Sequence, residues 1–317
     1  MEKLIRAGLA AAPGEIAHGL AEVFGESVKL PFTIINGEKP GPTVLVTAGV
    51  HSAEYVGIAA AAELWREIDP AELSGAVVLI RLMNPSGFEH RTISMVYEDG
   101  KNLNRVFPGD KSGTASEKIA YTVFEEFIKK CGYFIDLHSG DSYESLATMV
   151  FCVGNAAPEV VAKATIMAEA CNVGYMVYSM LGTSGAYNCA GSFGVPSILI
   201  ERGQMGRWSQ KEVSLCKRDV LSVLAKLDML PASRFGGTPK PRLLTRTVHV
   251  PSPVSGMWYP NFTAGDNFLA GQTIGLIKDY DGNVLAAPTF EFSGVILYQV
   301  ESLTTIKGEN LIAYGGV

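Results

Sequence analysis

In the stretch "TAGVHSAEYVG" (47–57), His51 and Glu54 lie three residues apart, where an apolar run gives way to an alanine-rich segment. On the first turn of a helix that spacing puts an imidazole and a carboxylate on one face, as two ligands of one metal ion require. A chain with five His produces an H-x-x-E by chance often enough that the pair needs company. His138, in "FIDLHSGD", supplies it. Two His and one Glu leave one position of a zinc ion free for water, a set suited to hydrolysis of peptide-type bonds. Asp136 precedes His138 by two residues, so on a strand the two share a face and the carboxylate can orient the imidazole. An ordinary buried acid with backbone partners is the alternative. Glu201 follows "PSILI" directly, and a carboxylate at a buried strand end is costly unless it meets a metal, water or a cation. It is suited to take a proton from the activated water and return it to a leaving amine. A salt bridge to the adjacent Arg202 is the competing reading.

The elements that must position these groups alternate. Short apolar runs at 43–50, 76–83, 133–138, 147–153, 174–178 and 196–201 are separated by stretches of helical spacing, among them 52–68, 114–131 with a capping box at Thr114 and Glu117, and 159–170. This pattern predicts an α/β fold with a mainly parallel mixed sheet flanked by helices. Ligands of such sheets gather at the carboxyl ends of strands, where His51, His138 and Glu201 are all expected.

The bulk properties exclude several alternatives. The 317 residues suffice for one large domain with a small appendage, and 47% hydrophobic with 18% charged residues is ordinary for a globular protein. A net charge of -6 without a basic cluster argues against nucleic acid and membrane surfaces and points to a small-molecule partner. Cys131, Cys152, Cys171, Cys189 and Cys216 are odd in number and form no C-x-x-C pair, so free thiols in a reducing compartment are expected. Pro13 and Glu15 interrupt the N-terminal apolar stretch too early for a signal peptide, and no run approaches a membrane span; a cytoplasmic protein is the expectation, with a homo-oligomer left open.

Residues 231–243, rich in Pro and Gly, read as a linker, dividing a catalytic domain (1–235) from a C-terminal β domain (244–317) across 236–243. The tail repeats itself: "PVSGMW" (253–258) returns as "EFSGVI" (291–296), and the turns at Gly271 and Gly308 are 37 residues apart. It resembles the barrel-sandwich hybrid of biotinyl and lipoyl carrier domains. Those domains present a modified lysine at the hairpin between the halves, whereas here that turn reads "KDYDGN" and Lys278 comes too early, so a packing or lid role is expected.

The motifs "GVHSAEYVG", "NPSGFEHRT", "DGKNLNRVFPG", "FIDLHSGD" and "LIERG" occur in the order found in the succinylglutamate desuccinylase and aspartoacylase family, relatives of the zinc carboxypeptidases, which the chain resembles from about residue 40 to its end. The resemblance implies one Zn2+ per chain on His51, Glu54 and His138, and Glu201 as general base. It implies that Asn104 and Arg105 hold a substrate carboxylate, for which a guanidinium and an amide donor are well suited. It also implies that Arg91 polarises the scissile carbonyl and stabilises the oxyanion, a surface loop arginine being the alternative. In one respect the chain departs from the aspartoacylases. From Ala164 through Glu201 it has no Lys or Arg, so a second substrate carboxylate has no cation to meet. The segment 181–194 offers hydroxyls, an amide and glycines, which suits a neutral or cationic amino-acid part, unless it is only a Gly-rich loop packed on the sheet edge.

The function implied is a zinc-dependent deacylase that hydrolyses the amide of a small N-acyl amino acid. A metallocarboxypeptidase would use the same groups; a β tail narrowing the mouth of the site favours small substrates over peptides. A binding protein without turnover should have lost a ligand or the base, and none is missing. Ester hydrolysis is open to the same site, and N and O ligands of this kind also accept other divalent metals.

Overall fold

The computed structural model describes residues 2–179, 182, 184–234 and 239–316. Nine strands form one mixed sheet in the order Arg242–Leu244, Tyr175–Ser179, Met149–Val153, Ser197–Glu201, Tyr133–His138, Lys39–Ala48, Ser74–Ile80, Lys29–Asn36 and Ile16–Glu22. Five of its eight pairings are parallel and three antiparallel. The four central strands, from Ser197–Glu201 to Ser74–Ile80, are mutually parallel. Apart from the first half of Lys39–Ala48, their side chains are buried almost throughout, which is why they read as continuous apolar runs. The outer hairpin of Ile16–Glu22 and Lys29–Asn36 was not expected. Its first strand mixes polar and apolar residues with only Ala21 buried, and Pro31 interrupts the second.

The helices stand close to their expected places at Tyr55–Leu64, Ala115–Glu126 and Pro158–Ala168. The capping box forms, with the Thr114 backbone N–H donating to Glu117 at 2.8 Å. Two differences matter for the site. The strand leading to His51 stops at Ala48, so His51 stands in the turn beyond it, and Glu54 is the residue immediately before the helix rather than within its first turn. That helix lies tightly on the sheet. A side chain on Gly57 would come within 3.0 Å of Leu137, and Gly203, at φ +93°, leaves room for Val56, whose Cγ2 lies 2.5 Å from where a Cβ would stand.

Beyond Leu244 the chain is all β, in a four-stranded sheet and in four strands of a five-stranded sheet whose fifth strand is Glu144–Leu146. The internal repeat is visible in their topology. Gly256–Pro260, Asn267–Phe268 and Gly275–Lys278 alternate between the sheets, and their counterparts Gly294–Val300, Thr304–Thr305 and Asn310–Gly316 each lie in the opposite sheet. Gly271 and Gly308 both adopt positive φ, as equivalent turns should. Both halves share one core around Trp258, Phe268, Phe290 and Tyr314. The expected linker, 236–243, lies partly outside the described residues, at 236–238. The tail is joined to the rest by strand pairing: Glu144–Leu146 runs antiparallel to Gly294–Val300, with Tyr298 opposite Leu146. No described helix is long and apolar enough to cross a membrane.

The close approach at Gly203 yields a stability prediction. Gly203→Ala combines a strained φ with a clash on Val56, so the variant should lose about 1–3 kcal/mol, read as a lowered midpoint of thermal unfolding.

Candidate metal centre

Strand register assembles the site. His138 and Glu201 are directly opposed on neighbouring parallel strands, as are Asp136 and Thr47 across the next pairing. Thr47, Asp136, His138 and Glu201 therefore share one face at the carboxyl edge. The turn 49–54 brings His51 and Glu54 over that edge. Glu54 is the hub: its Oε1 lies 2.7 Å from His51 Nδ1 and its Oε2 3.0 Å from His138 Nδ1. Its Oε2 also accepts the Ser139 backbone N–H at 3.2 Å. The two rings meet edge to face with centroids 5.2 Å apart. Glu54 and His138 are almost completely buried, and His51 is slightly accessible.

The surroundings of each ligand are equally specific. His138 Nε2 lies 3.1 Å from Asp136 Oδ2, and the other Asp136 oxygen accepts from Thr47 Oγ1 at 2.6 Å. Both Asp136 oxygens thus meet side chains, the His138 imidazole among them. Burial would raise the Glu54 carboxyl, but the imidazoles of His138 and His51 outweigh it and hold the group at about 2. Burial likewise opposes charge on His138, and Glu54 and Asp136 override it to push the imidazole well above its ordinary value.

One ligand atom from each of His51, Glu54 and His138 can be chosen so that all lie within 4.8 Å of one another, the single such cluster among the described residues. Both Nδ1 atoms and the Glu54 carboxylate face one another, while each Nε2 is engaged behind by a polar partner. Once a cation displaces the protons they share, two imidazoles and a hard oxygen form a donor set suited to a divalent metal. An independent observation agrees: Glu201 Oε2 is buried and has no hydrogen-bond partner among the described residues. The salt bridge to Arg202 does not form, because Arg202 is committed to Asp219 at 2.8 Å and to Glu212 at 3.6 Å. Burial, moderated by His138 and reinforced by Glu54 and Glu144, raises the Glu201 carboxyl to about 8.

Asn104 and Arg105 occupy a short turn, Leu103–Arg105, beside the centre. Asn104 is buried, and its Oδ1 accepts the Ala186 N–H at 2.8 Å, so its amide nitrogen remains as a donor. Arg105 is exposed and donates to the Asn104 carbonyl at 2.9 Å. Arg91 is exposed at the end of the helix Pro85–His90, at φ +56°; its backbone N–H donates to the Phe88 carbonyl at 3.4 Å, and its side chain makes no ion pair or hydrogen bond among the described residues. Its loop is pinned to the ligand segment, since the Ile93 carbonyl accepts from Ser52 Oγ at 2.7 Å and from the Ala53 N–H at 3.1 Å. Of the segment 181–194, residues 181 and 183 lie outside the described residues. The remainder forms the helix Ala186–Ser192 behind Asn104.

Several polar groups around the centre were missed from sequence. Asn102 Oδ1 is 3.2 Å from His51 Nε2. Tyr187, buried between Ser179 and Asn188, is raised to about 12, by burial first, and feels the charges of Glu201 and Asp136. Asp141 and Glu144 follow His138, and the Asp141 N–H donates to Glu144 Oε2 at 3.2 Å. Burial, then the proximity of Asp141 and Glu54, raises Glu144 to about 7. Tyr298, from the C-terminal β region, hydrogen-bonds Glu144. Asn102 stood within the quoted motif "DGKNLNRVFPG", Asp141 within "FIDLHSGD" and Tyr187 within the segment 181–194; beside His138 a second acid was the available signal.

Fold and site together define an α/β protein with a His-Glu-His centre at the edge of its sheet. The same architecture occurs in a succinylglutamate desuccinylase/aspartoacylase from Rhodobacter sphaeroides, 24% identical with 95% of each chain covered and a TM-score of 0.83. It occurs also in the product-bound ectoine utilization protein EutE (DoeB) from Ruegeria pomeroyi, 21% identical, again with 95% of each chain covered, at a TM-score of 0.85. The succinylglutamate desuccinylase/aspartoacylase catalytic domain matches residues 40–227, more than half of the sequence. The chain belongs to that family of deacylases, which act on amide bonds of small molecules. A relative from Halomonas elongata, N-alpha-acetyl-L-2,4-diaminobutyric acid deacetylase, is 39% identical over 116 residues, 36% of this chain; the match spans 33% of that relative's length.

If Asp136 orients His138 as a ligand, Asp136→Asn should weaken zinc binding roughly 10–100-fold, measured by competition with a chromophoric chelator.

Proposed function

We propose that the protein is a zinc-dependent deacylase that hydrolyses the amide of a small N-acyl amino acid, with His51, Glu54 and His138 as metal ligands and Glu201 as general base. The observation that carries this reading is the buried, unpartnered Glu201 oxygen directly across the strand pair from His138. When bound, the cation supplies Lewis acidity, polarising a carbonyl and acidifying water. Glu201 removes the proton from water and delivers it to the departing amine, one carboxyl serving both steps. Its raised affinity for protons suits both roles, since a strongly acidic carboxyl would be a poor base and a poorer donor to an amine. Arg91, unpaired and exposed on a loop anchored to the ligand segment, stabilises the oxyanion. The Asn104 amide and the Arg105 guanidinium hold the substrate carboxylate.

The amine component is read as cationic. Asp141 and Glu144 place two partly buried carboxyls within electrostatic range of Glu54, and an ammonium group would relieve their mutual repulsion. The absence of Lys and Arg from Ala164 through Glu201 and the diamino substrate in the name of the Halomonas elongata relative support the same class, an N-acylated diamino acid. In this reading residues 1–235 are the catalytic domain. Residues 244–317 are a domain of the barrel-sandwich hybrid type, whose Tyr298 contributes to the rim of the site through Glu144.

A panel of N-acetyl and N-succinyl derivatives of acidic, neutral and dibasic amino acids, run beside short peptides with zinc-loaded protein, tests the assignment by release of free amine. Turnover is expected for the acetylated diamino class. Cleavage of peptides alone would make the enzyme a carboxypeptidase. Glu201→Gln should lower turnover at least about 100-fold while the variant still binds zinc.

The base must be ionised to act, so kcat/KM should rise with pH along an acid limb set by Glu201. Burial places that limb above the ordinary carboxylate range, the bound cation draws it below the metal-free value of about 8, and a profile without the limb would remove Glu201 from the role. Glu144→Gln should raise KM for an N-acetyl diamino acid about tenfold and leave a neutral N-acetyl amino acid unaffected.

A further inference from the structure

Asn102 stands at the start of the Leu103–Arg105 turn, and its single side-chain oxygen makes two contacts. It accepts the Asn104 backbone N–H at 2.9 Å and lies 3.2 Å from His51 Nε2. The first contact decides the chemistry of the second. A backbone N–H only donates, so the Asn102 atom facing it is the carbonyl oxygen and not the amide nitrogen. That oxygen carries no hydrogen, so the hydrogen between it and His51 belongs to Nε2. His51 is thereby held with its proton on Nε2 and with Nδ1 turned toward Glu54. His138 shows the same arrangement: Nδ1 toward Glu54, Nε2 toward a polar partner. The partners differ in charge, an Asp136 carboxylate behind one imidazole and a neutral amide behind the other.

We infer that Asn102 is a positioning residue that locks His51 in its ligating tautomer and, through the same oxygen, ties the metal ligand to the turn carrying Asn104 and Arg105. This rests on the metal-site reading of His51. One oxygen thus sets the placement of a ligand ring and of the turn proposed to hold the substrate carboxylate. The Asn102 backbone also bridges to Met95, on the loop that follows Arg91, so the clamp joins all three segments. The neutral partner leaves the imidazole a weaker donor to a cation than a carboxylate partner would.

Two substitutions separate this role from simple capping of the turn. Asn102→Ser keeps a short acceptor for the Asn104 N–H but does not reach His51. Asn102→Asp keeps both contacts and adds charge. Zinc affinity is measured for each by chelator competition, beside the thermal unfolding of the metal-free protein. Asn102→Ser should bind zinc roughly 10–100-fold more weakly with its metal-free unfolding midpoint unchanged, and Asn102→Asp should bind at least as tightly as the wild type. Wild-type affinity in Asn102→Ser overturns the inference. So does a loss in Asn102→Asp equal to that in Asn102→Ser, or a drop in metal-free stability accompanying the lost affinity. Failure of the wild-type protein to bind any divalent cation overturns the metal reading itself, and this inference with it.

Discussion

The architecture depends on the burial of a single carboxylate. Glu54 has little contact with solvent, and a charge in that position is tolerable only where cations and donors surround it. Two imidazoles and the Ser139 N–H meet it, and a divalent cation would complete the set. Everything behind these groups serves to hold them there: Asp136 behind His138, Thr47 behind Asp136, Asn102 behind His51. Such chains of polar groups are stable inside a protein only when each member is satisfied. Two buried oxygens at this centre, Glu201 Oε2 and Ser139 Oγ, have no partner among the described residues, and such atoms inside a protein call for a water or an ion.

The sheet gives this cluster its precision. Parallel neighbours in register place His138 opposite Glu201 and Asp136 opposite Thr47, so no loop has to find these positions on its own. Only His51 and Glu54 come from a turn, and that turn is clamped by the Ile93 carbonyl and by the close seating of the helix Tyr55–Leu64 at Gly57. Arg91 and Arg105, on neighbouring loops, are both exposed. The C-terminal β region reaches the same place by a different route. A single strand pairing with Glu144–Leu146 carries Tyr298 to Glu144, and with it a partner for an acid that would otherwise face Asp141 and Glu54 unaided.

Most of the centre was legible before any coordinates. Ligand-type residues at the ends of apolar runs must come together in an α/β fold, because parallel strands share one carboxyl edge. Asp136 could be read with His138 because the strand period of two is unambiguous. The repeat in the tail was equally plain, though not that its halves exchange strands between two sheets. The outer hairpin was not legible, because an edge strand with mixed polarity has no periodicity to distinguish it from a loop.

By itself, the sequence determined which side chains are available for chemistry: two imidazoles and a carboxylate of ligand type, a further carboxylate at a strand end, the Asn104-Arg105 pair, and no Lys or Arg from Ala164 through Glu201. These follow from residue identity and from periodicities of two and 3.6, which are local properties. The tertiary structure decided which polar groups lie behind and beside them. Asn102 meets His51 across 51 residues, and Tyr298 meets Glu144 through the pairing of two strands far apart in the sequence. No local pattern encodes such contacts, because they arise from the registry of segments that pack only once the whole sheet has formed.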